Sequence, residues 1–255
     1  MFVRKLKSIM VENNKSTALE FWNQFANKQS PEVIMNTARI AEWEMIRKIF
    51  NITPSSHPRI IELGVGTGHF AINFLKEGFY VTGVDISEES LKVCEKRAQN
   101  YGLEKKLNLV LSNFKKKEFN ESFDAGYTIS TFHCLSSNPK EQDIILKNFL
   151  DSIKKDGVVF IMEPNPFNVL YYFAYPFVYK NNWREGYNVI HSSAGRLRKL
   201  LQEYNVSDIK RYHYGFFPTS FMRKIRFIGK LNNFLCRTPL IKNFCLFNFF
   251  IGIKK

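Results

Sequence analysis

Three glycines after a short apolar run form the most informative chemical pattern in the sequence. Residues 60–63 read Ile-Ile-Glu-Leu, and Gly64, Gly66 and Gly68 follow at alternate positions, ahead of a stretch with helical spacing. Glycine lets the backbone come close to a ligand, and the free N–H groups at the start of a helix favour negative charge. The pattern predicts a cofactor cradle between a first strand and the helix after it.

A carboxylate at the end of the next strand would complete such a cradle. Asp85 closes the β-like run 80–84 and lies 17 residues after Gly68. An acidic side chain at this place accepts hydrogen bonds from the hydroxyls of a bound ribose. Two features at a suitable spacing therefore indicate a ribose-containing cofactor.

The same residues argue against two other kinds of nucleotide site. A dinucleotide-binding G-x-G-x-x-G motif counted from Gly64 needs its last glycine at position 69, where the sequence has His69. A phosphate-binding P-loop needs Lys followed by Ser or Thr after the glycines, and this pair is absent. A nicotinamide or flavin cofactor is disfavoured, and so is ATP hydrolysis.

Several motifs resemble those of one enzyme family. Residues 62–68, Glu-Leu-Gly-Val-Gly-Thr-Gly, resemble the first motif of the class I S-adenosylmethionine-dependent methyltransferases, and residues 84–87, Val-Asp-Ile-Ser, resemble the second. Later segments that are similar to the family's, and in its order, are 112–125, 131–135 and 157–165. The resemblance implies S-adenosyl-L-methionine as the cofactor and no metal. The cofactor-binding residues that it implies are Glu62, Gly64, Gly66, Gly68, Asp85, Ile86, Asn113, Phe114 and Ser130.

Two positions depart from the family's pattern. The family commonly has an acid where Asn113 stands, and this acid accepts a hydrogen bond from the adenine amino group. The amide oxygen of Asn113 can accept the same bond, so we expect adenine binding with less charge complementarity. The sequence also looks like small-molecule and lipid methyltransferases of the ubiquinone and menaquinone type. Those often carry two adjacent histidines after the fourth strand, whereas this chain has His133 alone.

His133 is the candidate catalytic residue. If the methyl acceptor is a hydroxyl, a base must remove its proton near the time of attack, and the family places this loop beside the reacting methyl group. A single histidine is equally often a packing or solvent-facing residue, because the sequence fixes no carboxylate partner for it. Both interpretations stay open for His133, and also for His191.

Strand-like and helix-like patterns alternate along the chain, which predicts an α/β fold with a mainly parallel sheet covered on both faces. With the resemblance, the prediction is a Rossmann-like, doubly wound, seven-stranded sheet with N-terminal helices and a C-terminal helical insertion. The predicted strands are 59–63, 80–84, 107–111, 123–129 and 158–162, with 209–214 and 249–253 as closing strands.

We expect a single domain over residues 1–255, because no repeat, linker or low-complexity run divides the chain. Its expected parts are an N-terminal helical lid (1–58), a cofactor-binding core (59–165) and a substrate-side aromatic and basic region with the closing strands (166–255). Helices are predicted over 17–27, around 34–49, after an N-cap at Ser87, and over 140–153 with a turn at 155–157.

Basic residues are concentrated near the C-terminus. The formal net charge is +14, and residues 196–255 hold 13 of the 37 Lys and Arg but 2 of the 23 Asp and Glu. Apolar residues at helical spacing from Phe221 to Leu235, with Lys and Arg between them, predict a basic amphipathic helix. Together with the aromatic stretch 167–179, this helix predicts a hydrophobic or lipid-linked acceptor and peripheral contact with an anionic membrane surface. An alternative is that the helix covers the sheet and its charges face water.

Two other functions are compatible with the sequence. The local positive charge permits RNA or protein methylation through attraction to phosphates or acidic groups, which ranks second because no RNA-binding module is recognisable. A catalytically silent binding subunit would not need the glycines and Asp85. The four cysteines show no metal-binding spacing and predict reduced thiols, and the N-terminus lacks the apolar core of a signal peptide. We therefore expect a cytoplasmic protein that can rest on the inner face of the membrane.

Overall fold

A seven-stranded sheet forms the centre of the protein. The computed structural model describes residues 19–30, 37–50, 58–170, 187–217 and 226–255. The strands are β1 (Arg59–Leu63), β2 (Tyr80–Asp85), β3 (Leu107–Leu111), β4 (Phe123–Ile129), β5 (Ile153–Pro164), β6 (Val206–Tyr214) and β7 (Phe247–Lys254). Their order across the sheet is β3-β2-β1-β4-β5-β7-β6.

The strand directions create a crevice at one edge of the sheet. Strands β1 to β5 are parallel, and β7 is antiparallel to its neighbours β5 and β6. Because β1 lies between β2 and β4, the chain builds one half of the sheet and then returns to build the other. Open α/β sheets bind ligands at the carboxyl ends of the strands where this reversal occurs. The predicted doubly wound, mainly parallel sheet is confirmed.

Helices cover both faces of the sheet. They are α1 (residues 19–27), α2 (Thr37–Phe50), α3 (Ala71–Lys76), α4 (Glu88–Asn100), α5 (Pro139–Leu150), α6 (Ala194–Glu203) and α7 (Arg226–Arg237). Ile60 packs in one core with residues of α3 and α4, whereas its neighbour Ile61 packs in a second core with residues of α5 and α6. Successive strand residues point to opposite faces, so both faces of this sheet are buried.

Helix α4, which adjoins the crevice, starts and stops where the sequence predicts. The Ser87 hydroxyl accepts a hydrogen bond from the N–H of Ser90 at 3.1 Å and caps the helix. Glu88 and Glu89 lie in the first turn, where negative charge suits the helix dipole. The chain then turns at Gly102, which has a φ of +65°.

The predicted helix over 140–153 is wrong at its C-terminal end. Helix α5 stops at Leu150, and Ile153 already begins β5. The predicted turn at 155–157 lies within this strand, where Asp156 has a φ of +64° and the pairing with β4 is irregular. A Cβ atom on Gly157 would lie 2.8 Å from a backbone oxygen, so the glycine permits a bulge that the helix pattern did not reveal.

The region 166–255, predicted to lie on the substrate side, is described in part. Residues 171–186 and 218–225 lie outside the described residues, and with them most of the aromatic stretch and the first part of the predicted basic helix. Helix α7 is the predicted insertion between β6 and β7. Asn165 fixes the chain near β7, because its amide nitrogen donates to the carbonyl oxygens of Asn243 and Cys245 at 2.7 Å. Within the described ranges, no helix has the length and apolar character needed to cross a membrane.

Candidate functional site

The glycine loop between β1 and α3 packs against the loop after β4. Gly64, Gly66 and Gly68 have φ values of +75°, +51° and +78°, in the backbone region that favours glycine. The N–H of Gly64 donates to the carbonyl oxygen of Val84 at 2.8 Å, which holds the loop at the end of β2. A Cβ atom on Gly64 would lie 2.1 Å from Cγ2 of Thr131. The two loops therefore meet across bare backbone at the carboxyl edge of the sheet.

Asp85 is bound to the same loop. Its Oδ2 accepts from the N–H of Gly66 at 2.8 Å, and its Oδ1 accepts from the N–H of Ser87 at 2.9 Å. Burial raises the pKa of Asp85, and the hydrogen bonds from Ser87 and Gly66 oppose that shift. Since a carboxylate can accept about four hydrogen bonds, Asp85 keeps capacity for further donors. This geometry suits the predicted contact with ribose hydroxyls.

A solvent-open cleft of about 660 Å³ lies at the carboxyl ends of β1, β2 and β4. Six predicted cofactor-binding residues line it, namely Gly64, Gly66, Asp85, Ile86, Asn113 and Ser130. The other lining residues are Trp22, Leu63, Val84, Ser90, Ser112, Thr131, Cys134 and Leu135. Among the described residues of this lining, Asp85 is the sole carboxylate, in walls that are mostly apolar. Such a cleft with a few placed polar groups is typical of a small-ligand site.

Asn113 has one acceptor contact in place already. Its Oδ1 accepts from the N–H of Lys115 at 3.0 Å, and the side chain lines the cleft. A carbonyl oxygen has two lone pairs, so Asn113 can accept one more hydrogen bond. The predicted contact with the adenine amino group is compatible with this arrangement.

Three predicted cofactor-binding residues lie outside the cleft lining. Glu62 is 3% exposed, and its Oε2 accepts from the hydroxyl of Tyr127 at 2.8 Å. Phe114 is fully buried. Gly68 lies against Cys94, whose sulfur would be 2.4 Å from an added Cβ atom. These contacts support the walls from behind, and a direct contact of the three residues with the cofactor stays a prediction.

Glu163, near the end of β5, organises the loop that carries His133. Its Oε1 accepts from the N–H groups of Thr131 and Phe132 at 2.9 and 2.8 Å, and its Oε2 lies 2.7 Å from Nδ1 of His133. Burial alone lowers the pKa of His133, but neighbouring Cys134 and Glu163 overcome this and raise that pKa well above its usual value. The contact with Glu163 therefore favours the protonated form of the imidazole.

The environment of His133 bears on the predicted catalytic role. The structure supplies a carboxylate partner, yet His133 is 4% exposed and lies behind the residues that line the cleft. A buried ring whose protonated form is favoured suits a positioning role better than that of a base, and its role as a base stays a prediction. His191 lies in the short helical turn Tyr187–Ser192, where burial and Arg196 lower its pKa.

Two residues at the site, Trp22 and Glu163, were not predicted from the sequence. Trp22 reaches the cleft from α1, and nothing in the spacing of residues 22 and 85 indicates that they share a cavity. Glu163 lies in the segment that resembles the fifth strand of the family, so its position at a strand end was a usable signal. Its partners could not be deduced, because they come from a loop some thirty residues earlier.

Comparison with known proteins agrees with this geometry. Residues 60–157 match the family described as "Methyltransferase domain". A methyltransferase of Geobacillus sp. (strain WCH70) is 37% identical over 68 residues, which are 26% of this chain and 28% of that protein. The matched part thus spans less than a third of that relative.

Solved structures show the same fold. The phosphoethanolamine N-methyltransferase 2 of Haemonchus contortus, in complex with S-adenosyl-L-methionine, has a TM-score of 0.59 and 16% identity, covering 92% of this chain and 56% of that chain. An S-adenosylmethionine-dependent methyltransferase of Thermotoga maritima has a TM-score of 0.58 and 17% identity, covering 93% of this chain and all of the other.

The site residues fit this cofactor. Asp85 retains acceptor capacity for ribose hydroxyls, and the apolar walls leave space for a nucleoside beside bare backbone at Gly64 and Gly66. Neither glycine tolerates a larger residue easily, since both have positive φ values. The strand order, the cleft and the matched segment agree with one another. Residues 60–157 therefore match a methyltransferase domain, and the chain shares its fold with S-adenosylmethionine-dependent methyltransferases.

Proposed function

We propose that this protein transfers a methyl group from S-adenosylmethionine to a small hydrophobic acceptor, including an acceptor carried by a lipid. The cofactor, when bound, supplies a methyl group that is already activated on a sulfonium. The protein then has to align the two reacting groups and exclude water from them. The apolar walls of the cleft suit both tasks.

Exposed apolar side chains at the carboxyl edge carry the proposal about the acceptor. Phe167 and Val169, just after β5, are 60% and 63% exposed, and Ile190 is 62% exposed. Phe244 is 48% exposed, and the amide nitrogen of Asn168 donates to its carbonyl oxygen, which joins the two loops. Large apolar side chains grouped on a surface commonly mark a site for an apolar ligand or a membrane. This group adjoins the edge where the methyl donor binds.

The same edge supports peripheral membrane contact. Phe234 on α7 is 64% exposed, in the part of the chain that carries most of the net positive charge. Apolar groups flanked by basic residues bind the surface of anionic bilayers. We expect co-sedimentation with phosphatidylglycerol liposomes at low salt, weakened by Phe234→Ser and Phe244→Ser. The matched control is Ile144→Ser, a 50% exposed residue of α5. Equal binding by all variants, or none by the wild type, would end the membrane proposal.

The acceptor atom decides whether His133 takes part in proton transfer. A hydroxyl acceptor needs a base, and the neutral form of His133 is populated only above its raised pKa. Base catalysis therefore predicts a kcat that rises with pH and a loss of this dependence in His133→Phe. A nitrogen or carbon acceptor that needs no base predicts the same pH profile for both proteins.

Transfer of a labelled methyl group tests the function as a whole. The purified protein would be incubated with methyl-labelled cofactor and with separate lipid, RNA and protein fractions of a host extract. Label in the lipid or small-molecule fraction is the expected result, and Asp85→Ala should remove it. Label in RNA or protein would replace the proposal with the second-ranked one. Cofactor binding without label in any fraction would indicate a binding subunit.

A further inference from the structure

The N-terminal segment 19–30, which contains α1, is attached beside the glycine loop and Asp85 at two separate points, the N-cap of α4 and its last turn. At the start of α4, the hydroxyl of Ser87 donates to Oδ1 of Asn23 at 2.7 Å. The backbone N–H of this serine also binds Asp85. At the other end of α4, Nε and Nη2 of Arg97 donate to the carbonyl oxygen of Ser30 at 3.1 and 2.8 Å. The segment 19–30 is thus held near both ends of the helix that follows Asp85.

Arg97 joins this segment to the glycine loop. Its Nη1 donates to the carbonyl oxygen and to the hydroxyl of Thr67, both at 2.7 Å. Thr67 lies between Gly66, whose N–H binds Asp85, and Gly68. A planar guanidinium holds two segments at once in a fixed geometry, whereas a lysine ammonium has three rotatable donors on a flexible stem.

The environment of Arg97 shows that its place is specific. The residue is 1% exposed, and its partners among the described residues are carbonyl and hydroxyl oxygens with no carboxylate. A buried charge is costly unless its hydrogen bonds are satisfied. Its hydrogen bonds to described residues go to Thr67 of the glycine loop and to Ser30, so the guanidinium connects those two parts.

The segment that Arg97 holds carries an aromatic residue, Trp22, at the cleft. Trp22 of α1 lines the same cleft as Asp85 and Asn113. Phe21 and Phe25 hold its ring edge-on, with centroids 5.1 and 5.8 Å away. Aromatic side chains commonly bind nucleobases by stacking, whatever the base.

We infer that Trp22 is a cofactor-binding residue and that Arg97 and Asn23 are positioning residues that hold its helix against the cleft. This inference rests on S-adenosylmethionine as the ligand of the cleft and is independent of the acceptor. Loss of a stacking ring lowers affinity on the order of tenfold. The N-terminal segment is then a wall of the cofactor site, and residues outside 60–157 contribute to cofactor affinity.

Binding of S-adenosylhomocysteine tests the inference without any turnover. Affinity would be measured by calorimetry. The contribution of Trp22 to the tryptophan fluorescence would be measured as the difference in emission between the wild type and Trp22→Phe. In the wild type this emission should change on saturation. Trp22→Ala should bind about tenfold more weakly, and Trp22→Phe should recover most of the affinity because it keeps an aromatic ring.

The positioning residues have their own controls. Asn23→Ala should weaken binding severalfold and reduce the Trp22 signal, whereas Asn27→Ala, an exposed asparagine on the same helix, should match the wild type. Arg97→Lys keeps the positive charge but loses the planar guanidinium, and it should likewise reduce both the cofactor affinity and the change in Trp22 emission. If it fails to fold, Asn23→Ala and the Trp22 variants still decide the question, because Asn23 and Trp22 are partly exposed.

The outcomes separate this inference from the cofactor assignment. The inference about Trp22 is overturned, and the cofactor assignment is kept, if the wild type binds normally and Trp22→Ala binds with the same affinity. The same holds if the wild type binds normally and the emission of Trp22 does not change on binding. Equal effects of Asn23→Ala and Asn27→Ala overturn the positioning role. A wild-type protein that does not bind S-adenosylhomocysteine would overturn the cofactor assignment and this inference with it.

Discussion

Gly64→Ala tests how closely the glycine loop and the loop after β4 depend on each other. Gly64 has a φ of +75°, and a new Cβ atom would lie 2.1 Å from Cγ2, 2.4 Å from Oγ1 and 2.8 Å from Cβ of Thr131. Thr131 has little freedom to retreat, because its N–H is bound to the buried carboxylate of Glu163 at 2.9 Å. The left-handed backbone costs an L-residue about 1 kcal/mol. Forced overpacking adds about 1–3 kcal/mol, so the free energy of unfolding should fall by about 2–4 kcal/mol.

Urea denaturation without cofactor measures this loss against a matched control. Gly102 also has a positive φ, +65°, but nothing lies within 4 Å of its added Cβ atom. Gly102→Ala should therefore lose only the backbone cost of about 1 kcal/mol. Thr131→Ala removes two of the three clashing atoms, so a double-mutant cycle with Gly64→Ala should show a coupling of about 1–2 kcal/mol. Equal losses in Gly64→Ala and Gly102→Ala, or strictly additive effects in the cycle, would refute the close packing of the two loops.

Further predictions concern the charged groups and thiols around the cleft. Asp85→Ala should abolish or greatly weaken cofactor binding in calorimetry. Burial raises the pKa of Asp85 above the usual 3.8, and donors from a ribose favour its ionised form. The wild-type affinity for the cofactor should therefore be lost as the pH falls through this raised pKa. Asp85→Asn should show no such loss in this pH range. The raised pKa of His133 stabilises the fold fully below its unfolded value of about 6.5, and this contribution should be lost as the pH rises through the folded pKa. Glu163→Gln should lower that pKa, which an NMR titration of the His133 ring would show. Cys94 is fully buried and burial raises its pKa, so a thiol reagent should leave it unmodified in the folded protein while Cys134, on the cleft wall, reacts.

The glycine loop, Asp85 and Ser87 could be predicted from the sequence, because their conformations depend on residues close to them in the chain. Glycines with positive φ, an acid at a strand end and a serine N-cap each act through the backbone within a few residues. Gly66, Asp85 and Ser87 are accordingly found in the expected places and bonded to one another. The strands are equally predictable, since their apolar runs are bounded by turn residues.

Other features fall outside such local rules. The helix predicted over 140–153 extends too far, since Ile153 pairs with Phe123 of β4. The apolar residues that suit the buried face of a helix also suit a buried strand. His133 gains a carboxylate partner from β5, thirty residues away. Cys236 and Cys245 show no recognisable spacing, yet their sulfur atoms lie 3.2 Å apart as thiols.

The sequence by itself determined the alternating strands and helices, the glycine loop and the place of Asp85 at the end of β2, because backbone conformation and strand ends place those groups. Only the tertiary structure decided which distant side chains complete the site. Trp22 lines the cleft, and its segment is bonded to Arg97 and Ser87. Glu163 contacts His133 from a neighbouring strand and favours the protonated form of its ring. Contacts of this kind arise when separate elements pack on one sheet, and spacing along the chain does not record them.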